Sequence, residues 1–130
     1  MTPNEGPSPA ALVVAADEEM RILLRGLLQL HRVRVDAEAA GTTEALRLVR
    51  EHRPGTIVAD SHLSEGSAAD LVSGARAIVA GVRLILVVPA SRPPPAFAKG
   101  CQPDVVLLKP FRIQQFAEAI GPPRPPAGSG

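Results

Sequence analysis

The chain has 130 residues, 45% of them hydrophobic, with 14 basic and 13 acidic residues and a net charge of +1, which is one domain's worth of chain with enough apolar content to exclude wholesale disorder. The charge balance and an aromatic content of three Phe, no Tyr and no Trp argue against nucleic-acid binding, which needs a basic face or a base-stacking platform. A lone cysteine, Cys101, excludes a disulfide framework, no apolar run reaches the roughly 20 residues of a membrane span, and Glu5 as the only charge before Asp17 is unlike a secretory signal.

Of 14 prolines, three lie in Met1–Ala10 and four in Gly121–Gly130. Residues 1–9 and 121–130 are therefore predicted to be disordered tails around a domain of residues 10–120. Within it, Ala11–Ala15 is a continuous apolar run ending before Asp17-Glu18-Glu19. Met20, Leu23, Leu24, Leu27 and Leu28 then recur at helical spacing, so Glu18–Leu30 reads as a helix with an acidic first turn. Arg32–Ala37 alternates Val33, Val35 and Ala37 with charged residues, the pattern of a half-exposed edge strand. Gly41-Thr42-Thr43 opens a second helix, with Ala45, Leu46, Leu48 and Val49 inward, that ends before Pro54-Gly55. Thr56–Asp60 is a short strand ending on an acid, Ser67–Val79 a third helix, and Arg83–Val88 a fourth strand. Pro89 and Pro93-Pro94-Pro95 leave only a helical stub around Pro94–Lys99. Val105–Leu108 is the fifth strand, and Ile113–Ile120 the last helix.

Five βα units predict an α/β doubly wound sandwich, a parallel five-stranded sheet flanked by helices, with the fourth helix shortened or irregular. An amphipathic second strand at the edge makes the order 2-1-3-4-5 natural, the flavodoxin-like order, whose ligand crevice lies where strands one and three diverge. The carboxyl ends of the strands then bring Ala15-Ala16-Asp17, Asp60, Pro89-Ala90 and Lys109 to one crevice.

These residues resemble a known family. Leu12-Val13-Val14 with Asp17, Met20 and Arg21, then Asp60-Ser61-His62-Leu63-Ser64-Glu65-Gly66-Ser67, then Leu108-Lys109-Pro110-Phe111 are similar, in order and spacing, to the receiver domain of two-component response regulators. Lys109 is one of only two lysines among the 14 basic residues, and stands where that family uses a compact ammonium on a phosphoryl oxygen. The resemblance implies that Asp60 is the phosphoacceptor, that Lys109 contacts the phosphoryl group, and that Mg²⁺ is held by an acidic pair, by Asp60 and by the backbone carbonyl of His62. It also implies a hydroxyl ending the fourth strand, an aromatic switch residue on the fifth, and a cis bond at Pro110.

The chain departs from that pattern at several positions. The acidic pair falls on Ala15 and Ala16, the hydroxyl on Pro89 and the switch aromatic on Val106. Asp17 has two open readings: a metal ligand swung inward by a bulge, or the cap of the first helix. Asp60 likewise reads as a retained phosphoacceptor or as a strand-end acid paired with Lys109. His62 has the bland reading of a solvated loop side chain, His31 and His52 suit helix C-terminal ends, and Cys101 reads as a half-buried small hydrophobe.

The resemblance thus implies a cytoplasmic, non-enzymatic, stand-alone signalling module with a degenerate site, its Mg²⁺ weakly held or absent. Its expected partners are a sensor histidine kinase or another signalling protein, without nucleic acid, membrane or small-molecule substrate. A functional regulator is the alternative, phosphorylated on Asp60 with Asp17 or Glu18 on the metal and Ser91 supplying the hydroxyl. A flavodoxin-like cofactor binder is disfavoured: Asp17-Glu18-Glu19 repels a phosphate where flavin or nucleotide would sit, and no Tyr or Trp stacks a ring.

Overall fold

The computed structural model describes residues 8–91, 96–97 and 99–121. Its strands are β1 (Ser8–Val14), β2 (Val35–Ala39), β3 (Pro54–Asp60), β4 (Arg83–Pro89) and β5 (Val105–Lys109). Its helices are α1 (Glu18–Leu30), α2 (Thr42–His52), α3 (Ala68–Ile78) and α4 (Ile113–Ile120). Every strand pair is parallel and the order is β2-β1-β3-β4-β5, the flavodoxin-like doubly wound sheet that the βα alternation predicts.

Alternation along β1 explains the two-layered core. Leu12 and Val14 join α2 and α3 on one face of the sheet, whereas Ala11 and Val13 join α1 and α4 on the other. The central strands β1, β3 and β4 are buried on both faces, which is why they read in sequence as unbroken apolar runs. Phe116 of α4 is fully buried and stacks on Phe111, with ring centroids 5.8 Å apart.

Three local expectations are corrected. β1 begins at Ser8, inside the stretch read as the N-terminal tail. β2 starts at Val35, and its register against β1 slips: Ala11 pairs with Val35 but Leu12 with Ala37. Asp36 is thus an extra residue, and the bulge turns Ala37 toward the α2–α3 layer while Val35 stays on the α1–α4 side. On α1, Leu24, Leu27 and Leu28 are buried, but Leu23 is 48% exposed, because it lies at the margin of the stripe that meets the sheet. The helical stub around Pro94–Lys99 lies mostly outside the described residues; Ala96 and Phe97 are irregular and Lys99–Gly100 is a turn. The predicted tails, apart from Ser8, Pro9 and Gly121, also lie outside them.

Without a described helix between β4 and β5, the outer face of β5 has little cover. Leu107 packs into the α1–α4 layer, while Val106 and Leu108, on the opposite face, are 38% and 49% exposed.

Candidate functional site

The carboxyl ends of β1, β3, β4 and β5 converge as the parallel topology requires. Asp60, the last residue of β3, pairs in register with Val87 of β4, one residue beyond the pair that Ala59 makes with Val14 of β1. Its side chain is 4% exposed, and Oδ1 accepts a hydrogen bond from Lys109 Nζ at 2.9 Å. Lys109 ends β5, its side chain is 26% exposed, and the peptide bond to Pro110 is cis. Register pairs Pro89 with Lys109, so the residue in the hydroxyl position lies directly between the acid-bearing and ammonium-bearing strands. It offers no hydroxyl there.

Three backbone carbonyls at this end also have partners within the chain. His62 turns its side chain outward and its carbonyl accepts from the Ala16 N–H at 3.1 Å. The Ala15 and Ala16 carbonyls accept from Arg21 Nη1 at 2.7 and 3.2 Å. Arg21 in turn lies 3.7 Å from Glu38, which also pairs with Arg25 at 2.6 Å. Two methyl groups and a guanidinium thus occupy the strand-one side of the crevice.

Asp17 is brought to the N-cap of α1 with an extended backbone, but its side chain makes no capping bond. It is exposed, as is Glu18, and neither pairs with Asp60. Ser91 is exposed beyond β4, and Val106 lies on the open face of β5.

Mg²⁺ demands near-octahedral oxygen ligation with one or two carboxylates. Among the described residues one carboxylate points into the crevice, and an ammonium already holds it. Among the described residues no three His, Cys, Asp or Glu side chains are grouped to hold a metal ion. The donor set does not fit the ion that the receiver resemblance implies.

Two positioning residues escape a sequence reading. Arg21 is recognisable there only as part of a motif, not as the donor that ties off the end of β1. Glu65 is less visible still. Its carboxylate accepts from the Thr43 backbone N–H at 2.7 Å and from the Thr43 hydroxyl at 3.0 Å, while its own carbonyl accepts from the Thr42 N–H. Gly41, the N-cap of α2, has no side chain to cap with, so the loop that follows Asp60 supplies the cap across space. No local pattern encodes a partner 22 residues away.

Among the described residues no helix is long and apolar enough to cross a membrane. No protein-family model matches the sequence, and no curated protein does. Solved structures do match. The receiver domain of AraT, a response regulator from Geobacillus stearothermophilus, is 23% identical, with 85% of this chain and 88% of that one covered at a TM-score of 0.72. A response regulator receiver domain protein from Methanospirillum hungatei is 19% identical over 85% of this chain and 89% of that one, with a TM-score of 0.74. A Burkholderia pseudomallei response regulator carrying a phosphorylated aspartic acid, a calcium ion and citrate is 22% identical over 86% of this chain and 66% of that one, with a TM-score of 0.73. With its strand order, its acid ending β3 and its lysine ending β5, the chain has the fold of the response-regulator receiver domains.

Proposed function

We propose that the chain is a receiver-like signalling module of a two-component or phosphorelay system, acting in the cytoplasm through protein–protein contacts, with a phosphorylation site reduced to Asp60 and Lys109. The observation that supports this most is the closed ion pair. Phosphoryl transfer to a carboxylate joins two anions and needs a cation shared by both. Among the described residues Lys109 is the cation that pairs with Asp60, and the strand-one carboxylates that would add a divalent ion are replaced by Ala15 and Ala16.

The switch is reduced as well. A phosphoryl group shifts a conformational equilibrium only by the difference in its contacts between the two states. Pro89 offers no hydroxyl and Val106 no ring, so little would distinguish those states. Signalling then rests on which surface meets a kinase or another signalling protein, and no chemical turnover is assigned to the chain.

The test is incubation of the full chain with acetyl phosphate and millimolar Mg²⁺, read by intact mass. An unmodified mass is expected. A stable adduct mapped to Asp60 would overturn the reading in favour of a phosphorylated regulator that uses Asp17 or Glu18 on the metal and Ser91 on the phosphoryl group.

A further inference from the structure

We infer that the chain binds a small amphiphilic anion, an apolar body ending in one carboxylate or similar group, in the groove beside Lys109. The groove has a volume of about 740 Å³ and lies between α1, the ends of β4 and β5 and the start of α4; Met20, Leu23, Phe111 and Ile113 give it an apolar wall. Sites for small organic ligands span roughly 300–1,000 Å³, and are apolar with a few polar groups that orient the ligand. Lys109 and Ser91 are those groups here.

Charge selects the ligand's sign. Among the described residues that line the groove, Lys109 is the one charged residue and none is Asp or Glu. Asp60 compensates the ammonium only from behind: its side chain is 4% exposed against 26% for Lys109, so the pair turns its positive end toward the groove. One of the three ammonium N–H groups goes to Asp60, which leaves donors for a second anion. The apolar wall selects the rest. Leu23 and Ile113 are 48% and 57% exposed, and an apolar body laid over them removes that surface from water. A cation would meet an ammonium with no facing acid, and a small inorganic anion would leave the wall wet.

This inference goes beyond the signalling reading and does not depend on phosphorylation. It also adds a small molecule where the sequence expectation was of no small-molecule substrate, because the groove joins residues from four separate segments.

The experiment titrates the isotope-labelled full chain with octanoate and, separately, with 1-octanol, following amide shifts at Met20, Ser91 and Phe111. Octanoate is expected to bind more tightly than octanol by about tenfold, the step that one charge-assisted hydrogen bond supplies. Lys109→Gln is expected to erase that difference, and Leu23→Glu to abolish both responses. Should Lys109→Gln fail to fold with its carboxylate left unpaired, the double variant Asp60→Asn/Lys109→Gln makes the same comparison. Equal binding of the two probes, or shifts from neither, would overturn the inference. So would sedimentation of the wild-type chain as a dimer that Leu23→Glu dissociates, since a second copy would then occupy the groove.

Discussion

Lys109 Nζ and Asp60 Oδ1 are 2.9 Å apart, and of the two side chains it is the carboxylate that is sealed from water. The asymmetry makes the lysine more costly to lose than the acid. Lys109→Met strands a buried negative charge and is expected to destabilise the fold by roughly 2–4 kcal/mol, whereas Asp60→Asn leaves a solvated ammonium and is expected to cost about 1 kcal/mol. Urea unfolding followed by far-UV circular dichroism measures both. If Lys109→Met were no worse than Asp60→Asn, the pair would not be supplying the carboxylate's compensation.

Glu65 connects the loop after the acceptor strand to the start of α2, and that connection is testable by hydrogen exchange. Glu65→Ala is expected to cost about 1 kcal/mol, the usual value of a lost N-cap, and to speed exchange at the Thr43 amide. Glu65→Gln keeps an acceptor oxygen and is expected to lose less. Unchanged Thr43 exchange in Glu65→Ala would show that the carboxylate is not the cap.

Gly66 allows the loop to lie that close. Its φ is +75°, and a Cβ there would stand 2.5 Å from Thr42 Cβ, a backbone-proximal atom that cannot swing aside. Gly66→Ala combines left-handed strain with that clash and is expected to cost at least about 2 kcal/mol. A thermal melt within a degree or so of wild type would contradict the packing described.

Phe116 is the largest fully buried side chain and the centre of the α1–α4 layer. Phe116→Ala is expected to cost about 3–5 kcal/mol, enough to threaten folding, and Phe116→Leu considerably less. Denaturant midpoints for the two variants give the comparison.

Val106 and Leu108 are the complementary case. With the outer face of β5 open to solvent, Val106→Thr and Leu108→Gln are each expected to change stability by no more than about 0.5 kcal/mol. A loss of core size at either position would mean that a further element covers that face.

The sequence by itself determined the elements and their order, because each rests on local periodicity. The unbroken apolar runs of β1 and β4 betray burial on both faces, the leucine spacing of α1 has the helical period, and the βα alternation leaves few topologies open. It also brought Asp60 and Lys109 to one crevice, since each ends a recognisable strand, whereas Asp17, read there too, lies exposed at the start of α1. What only the tertiary structure decided are relationships between segments. The bulge at Asp36 arises from the pairing of β1 with β2, which no alternation within β2 announces. The capture of Asp60 by Lys109, the engagement of the Ala15 and Ala16 carbonyls by Arg21, and the cap that Glu65 gives α2 all join groups distant along the chain. Periodicity reports which side of its own element a residue faces; which partner meets it there is set by how the elements pack.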